Sequence, residues 1–183
     1  MKEILNSSPI LGPVPVILVS AGDMENANIT TVAWTGIINS DPSMLYISLR
    51  KTRYSYDIIN NRKEFVINIP SDNLVYEVDF CGTKSGKDID KFAECKFNKI
   101  QSKNVLAPSI AECPINLECK VREIKSLGSH DMFISDIVST SVNKEILTET
   151  KRIDYEKARI LTYADGNYFV NDKIIAKRGI CLK

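Results

Sequence analysis

The chain has one histidine, His130, among its 183 residues. That count excludes a His-rich metal site. It also makes any Ser-His-Asp arrangement depend on a single residue, and no GxSxG elbow accompanies it. Cysteine is sparse and unpaired in spacing: residues 81, 95, 113, 119 and 181 are odd in number and contain no CxxC. The pattern gives neither a disulfide framework nor paired zinc ligands, and reads as reduced, partly buried thiols of a cytoplasmic protein. No metal site is expected. A charge excess is missing too. Net charge is +1, so no extended nucleic-acid footprint is expected, although a local anion site is compatible with it. Long apolar runs are absent: Asn6, Ser7, Ser8 and three prolines interrupt MKEILNSSPILGPVPVILVS, so neither a secretory core nor a membrane-spanning helix is expected. No GxGxxG follows a strand, which disfavours a dinucleotide-binding Rossmann unit. GTKSGKD, residues 82–88, is one residue short of a P-loop and carries Asp88 where Ser or Thr is required.

What is present is an ordinary globular composition, 44% apolar and 26% charged, on a length that suits one domain, taken as residues 1–183. Residues 14–21 (VPVILVSA) form a continuous apolar run, as in a strand buried on both faces. Residues 29–39 and 44–51 read as the next strands, with Ser40-Asp41-Pro42-Ser43 as the turn. In MLYISLR, Leu45, Ile47 and Leu49 should face the core, which places Ser48 and Arg50 together on the other face. SYDIINNRK reads as a short helix with Ser55 at its N-cap. EFVINIP is another strand. Residues 74–80 and 89–95 read as helices joined by the polar loop CGTKSGKD, and Pro108 and Pro114 bound an irregular link. INLECKVR alternates, with Ile115, Leu117, Cys119 and Val121 inward and Asn116, Glu118, Lys120 and Arg122 outward. With residues 132–142 it should make a long antiparallel hairpin turning at SLGSHD. A short helix at 154–158 and strands at 160–163 and 168–170 complete the chain. Strands dominate and the connections are hairpin-like, so the expected fold is mainly β, an antiparallel barrel with a few peripheral helices.

Three stretches carry candidate chemistry. Arg50, Lys51 and Arg53 precede Ser55 at a helix start, where free N–H groups and the helix dipole favour a negative ligand. The same residues fit a solvated basic turn. NITTVAW, residues 28–34, fits either β-core or an open platform for a flat ligand, and Trp34 taken alone is more often core. In SGKDIDKF, Gly86 permits close backbone approach, and Lys87 and Lys91 can share a helical face.

The order PVPVILVS, NITTVAW, DPSMLYISLRKTRYSYDII, EFVINIP, SGKDIDKF, PINLEC, HDMFISDIV resembles the flavin reductase-like family of FMN-binding split barrels, flavoredoxin type, over nearly the whole chain. LTYADGNYFVNDKIIAKRG is similar to the family's closing strands. The resemblance implies a homodimeric split β-barrel with one FMN per protomer. It implies that Asn28, Thr30, Thr31, Val32, Ala33 and Trp34 lie along the isoalloxazine. Ser48, Arg50, Arg53, Tyr54 and Ser55 would hold the phosphate, and Ser85, Gly86, Asp90 and Lys91 would close the site. Implied activities are NAD(P)H-linked flavin reduction or electron transfer from a partner protein. A flavin-storing or flavin-sensing protein would use the same site. His130, in the hairpin turn, is a candidate for orienting a second substrate, or a surface histidine.

Overall fold

The computed structural model describes residues 1–182; Lys183, the last residue of the expected domain, lies outside them. Seven strands make one antiparallel ribbon. In chain order they are β2 (Ile17–Ala21), β3 (Asn28–Val32), β4 (Thr35–Ser40), β5 (Ser43–Leu49), β6 (Glu64–Ile69), β9 (Ile115–Ser126) and β10 (Asp131–Val142). Their order across the ribbon is β3-β2-β6-β9-β10-β5-β4. A second small sheet joins β1 (Val14–Pro15), β11 (Leu161–Ala164) and β12 (Asn167–Val170). β7 (Lys99–Ile100) pairs with β8 (Ser109–Ile110). The helices are α1 (Tyr54–Arg62), α2 (Val75–Thr83), α3 (Lys91–Glu94) and α4 (Tyr155–Ala158). None among the described residues is long and apolar enough to cross a membrane.

The ribbon curls until its rims meet. β3 and β4 sit at opposite ends of the strand order, yet only Ala33 and Trp34 separate them, and the Ser48 N–H of β5 donates to the Trp34 carbonyl at 2.8 Å. The expected single strand over 29–39 is therefore two, because one straight strand cannot belong to both rims. Inside the barrel pack Ile17, Val19 and Ala21 of β2, Val32 of β3, Leu45, Ile47 and Leu49 of β5, Phe65 and Ile67 of β6, Cys119 and Phe133, with Ile59 of α1. Leu45, Ile47 and Leu49 take the inward positions their alternation predicts. The outer face of β2 and β3, through Leu18 and Ile29, together with Val16 just before β2, is covered by Leu74, Val78 and Cys81 of the α2 region and by Phe92 of α3. β2 is thus buried on both faces, as its unbroken apolar run requires.

Three local expectations change. The N-cap of α1 is Arg53, in extended conformation and making no side-chain cap bond, so Ser55 lies inside the first turn. α2 runs through Cys81, Gly82 and Thr83, which the sequence assigns to a loop. Asn116 and Glu118, expected outward on β9, are buried. The cause is the segment 102–110 folding over them. The Glu118 carboxylate accepts the N–H groups of Lys103 (3.0 Å) and Asn104 (2.6 Å), and Asn116 Nδ2 donates to Asn68 Oδ1 at 2.8 Å.

Candidate functional site

The start of α1, the first half of β3 and the loop after α2 enclose a polar cavity of about 420 Å³. Asn28 and Thr30 reach it from β3, Arg50, Arg53, Tyr54 and Ser55 from the turn into α1, and Ser85, Gly86 and Lys91 from the loop and α3. A second cavity of about 380 Å³ is lined by Thr31, Val32, Ala33, Trp34, Ser48, Arg50, Arg53 and His130. Arg50 and Arg53 belong to both, so the two form one groove with a basic waist.

The polar end is built by tertiary contacts. Ser55 is fully buried, and its hydroxyl oxygen accepts a hydrogen bond from Asn28 Nδ2 at 2.7 Å. That bond ties α1 to β3, and Arg53 at the N-cap leaves the first turn of this nine-residue helix without a side-chain cap. Uncapped first-turn N–H groups at a helix start favour an anion. Gly86 lies hard against this pair. A Cβ there would clash with Asn28 Oδ1 and would come within 2.6 Å of Asn28 Cγ and 2.8 Å of Tyr54 Cδ1. Arg53 donates to the Gly82 carbonyl at 2.9 Å, which ties the basic turn to the end of α2.

Lys91 is the most informative residue in the groove. Its side chain is buried, at 3% exposure, and Nζ donates to the carbonyls of Ile29 (2.8 Å) and Cys81 (2.7 Å). The ion pairs among the described residues give it no carboxylate. Burial, with a smaller push from Arg53, lowers its pKa from the ordinary lysine value. Buried cations are normally paired. This one has a third N–H and faces a cavity that could hold its counter-charge. Asp90 is placed differently from its neighbours. Its carboxylate caps α3, accepting from the N–H groups of Phe92 (2.9 Å) and Ala93 (3.2 Å), and it lines an adjoining cavity beyond Gly86. It therefore fixes the helix that presents Lys91.

The other end of the groove is flat. Trp34 is 47% exposed, so it is not core, and its ring lies 4.3 Å from that of His130 at an interplanar angle of 33°. The chain is between strands at Ala33 and Trp34, which opens backbone there to the groove. Thr31 instead turns its hydroxyl away, donating to the Val78 carbonyl of α2 at 2.5 Å, and Val32 points into the barrel core. Burial first, then Arg50 and Arg53, lower the His130 pKa below its usual value, which favours the neutral ring at neutral pH. Asp131, beside it, accepts from Tyr56 Oη at 2.5 Å and from Ser126 Oγ at 2.8 Å, which anchors the hairpin end to α1.

The structure thus gathers fourteen of the fifteen binding candidates around one groove and sets Asp90 behind it. It adds Thr52, Thr83, Lys84 and Tyr163, none of which the sequence marks. Thr83 and Lys84 lie in the expected loop CGTKSGKD, but the stretch marked for binding, SGKDIDKF, begins one residue later. Tyr163 arrives from β11 and has no local signal.

Comparison with known proteins bears on the fold. The flavin reductase like domain matches residues 12–171. The flavoredoxin of Desulfovibrio vulgaris (Miyazaki F) has a TM-score of 0.92 and 31% identity, over 100% of both chains. The flavoredoxin from Methanosarcina acetivorans has a TM-score of 0.90 and 26% identity, again over 100% of both chains. An uncharacterized protein of Archaeoglobus fulgidus is 32% identical over 137 residues, 75% of this chain and 77% of that one.

Proposed function

Since the chain belongs to the flavin reductase-like family, with the mainly antiparallel split barrel of its flavoredoxins, we propose that it binds FMN in this groove as a redox centre. Electrons would come from NAD(P)H or from a partner protein. The observation that carries the reading is Lys91, a buried cation with no carboxylate partner among the described residues, facing the polar end of a groove whose other end is a flat aromatic wall. Those residues fit a flat ligand with a doubly charged tail. Gly86 supports the fit, because a side chain there would fill the space beside Asn28 and Tyr54.

Lys91, Arg50 and Arg53 would neutralise the phosphate, with Ser55, Ser85 and the first turn of α1 supplying hydrogen bonds. Asn28 holds the Ser55 hydroxyl in place for this. The backbone of residues 32–34 and Ser48 would face the ring. The chemistry FMN supplies when bound is acceptance of a hydride or an electron pair and its release to an acceptor. Trp34 and His130 would screen the ring from water on one side, with His130 neutral and therefore able to give or accept a hydrogen bond.

The protein would work in the cytoplasm as a homodimer. β4 supports that assembly: it is an edge strand with Ile37 and Ile38 exposed. Sedimentation is expected to give a dimer, and a monomer that still held flavin would remove the dimer from the proposal. The function itself is tested by colour and bleaching. The purified protein should keep FMN through gel filtration. Anaerobic NADH or NADPH should then bleach it if it is a reductase. Bleaching by dithionite or a partner protein alone would assign the carrier role. Failure to retain or titrate with any flavin would overturn the reading.

A further inference from the structure

The loop that closes the polar end of the groove runs between two cysteines that the proposed function does not use. Cys81 is in the last turn of α2, and Cys95 caps the C-terminal end of α3. Their sulfurs lie 3.8 Å apart. Cys81 is fully buried and Cys95 half-buried. Between them lie Thr83, Lys84, Ser85, Gly86 and Lys91, all of which line the cavity. The Cys81 carbonyl is itself one of the two acceptors of Lys91 Nζ. No other pair of the five cysteines makes a sulfur contact among the described residues.

We propose that Cys81 and Cys95 are a redox modification site: they form a disulfide by exchange with a small-molecule disulfide, and this bond clips shut the loop at the polar end of the groove. A disulfide is about 2.05 Å long with a tightly limited geometry. The sulfurs are already in van der Waals contact, so side-chain rotation with a small backbone adjustment can close the gap. Cys95, the more accessible thiol, attacks the small disulfide as thiolate. A Cys95–S–S–R mixed disulfide forms and one RSH leaves. Cys81 then attacks the Cys95 sulfur, the Cys81–Cys95 bond forms, and the second RSH leaves. Two thiols are oxidised, one small disulfide is reduced, and the two protons leave on the two RSH molecules.

Burial raises both thiol pKa values, and the charge of Glu77, one turn before Cys81, opposes thiolate at either sulfur. Exchange is accordingly slow at neutral pH and faster in mild alkali. The bond ties together the two ends of the loop that lines the polar end of the groove, so the clipped loop opens less often.

The effect on flavin rests on the proposed function, whereas the bond and the loop closure do not, and the test separates them. The Cys181→Ser protein, freed of its exposed thiol, is incubated with oxidised glutathione at mildly alkaline pH. Peptide mass mapping should find Cys81 joined to Cys95, with the loss of two hydrogens. Tryptic cleavage after the exposed Lys84 and Lys87 should slow by roughly tenfold, and dithiothreitol should restore it. FMN release should slow by a similar factor, and Cys95→Ser in the same background should abolish all three effects. Absence of the Cys81–Cys95 link, or a link that leaves loop cleavage and FMN release unchanged, overturns the proposal. A link with loop protection in a protein that binds no flavin in either state upholds the thiol site and overturns the flavin assignment instead.

Discussion

Replacing Lys91 by Met tests the anion site most directly. Met keeps an unbranched apolar stem in the buried slot while removing the charge and all three donors. Two of those donors hold the carbonyls of Ile29 and Cys81, and the third is free to meet a phosphate oxygen. A hydrogen bond to a charged group contributes about 1.5–3 kcal/mol. Losing one such bond weakens FMN binding between about tenfold and about 150-fold. Riboflavin has the same ring and no phosphate, so its affinity should change less than about threefold, within about 0.7 kcal/mol. Stability falls as well, because two buried carbonyls lose their donor at about 1–3 kcal/mol each, offset in part by relief of a buried charge. Flavin fluorescence titration of both ligands, with urea unfolding of the apoprotein, separates these effects. The ratio of the two affinity losses is insensitive to general loosening. If FMN and riboflavin weaken together, Lys91 does not face a phosphate and the site assignment fails.

Arg50→Ala and Ser55→Ala should likewise weaken FMN more than riboflavin by titration calorimetry, and equal losses would contradict their phosphate role. Gly86→Ala should cost between about fivefold and about 150-fold in flavin affinity, since displacing Asn28 or Tyr54 is an overpacking of roughly 1–3 kcal/mol. A crystal structure should show the Asn28–Ser55 bond broken, and unchanged affinity would remove Gly86 from the site. His130 is the chain's one histidine, so NMR titration reads it without ambiguity. FMN should raise its pKa by offsetting Arg50 and Arg53, and Arg50→Ala should raise it in the free protein. The unfolded chain takes up the His130 proton more readily, so this residue's contribution to stability declines as pH falls through about 6.5 toward the lowered folded value. Tyr56 has the opposite sign. Its hydrogen bond to Asp131 raises the phenol pKa to about 12, so stability from this contact is intact below about pH 10 and is lost as pH rises through about 12. Tyr56→Phe should flatten that alkaline loss in denaturant titrations.

Much of the barrel was legible because its signals are local. The apolar run of β2 announces burial on both faces, and the alternation in β5 and β9 sets the inward side of each strand. Signals that depend on distant partners were not legible. Nothing in VAWTG marks a break, since neither proline nor glycine falls between Val32 and Trp34. The break is imposed by closure of the ribbon. Ser55 satisfies the usual preference for a helix cap, but its hydroxyl finds Asn28, 27 residues earlier, instead of a nearby N–H. Asn116 and Glu118 look solvent-facing by period two, and only the segment folded over them makes them interior. The basic cluster and Gly86 were visible as candidates. Their convergence with Lys91 on one cavity belongs to the tertiary structure.

The two-residue passage between β3 and β4 gives the barrel an unusual seam. Most of the ribbon is laced by ladders of backbone bonds, whereas among the described residues no ladder pairs β3 with β4 or β5, and the Ser48–Trp34 bond only extends the β4–β5 ladder. Side-chain packing, with Val32 in the same core cluster as Leu45 and Ile47 of β5, holds the rims together where ladders do not. A ligand laid across Ala33 and Trp34 would act as a suture, so occupancy of the groove and integrity of the cylinder become one equilibrium seen from two sides.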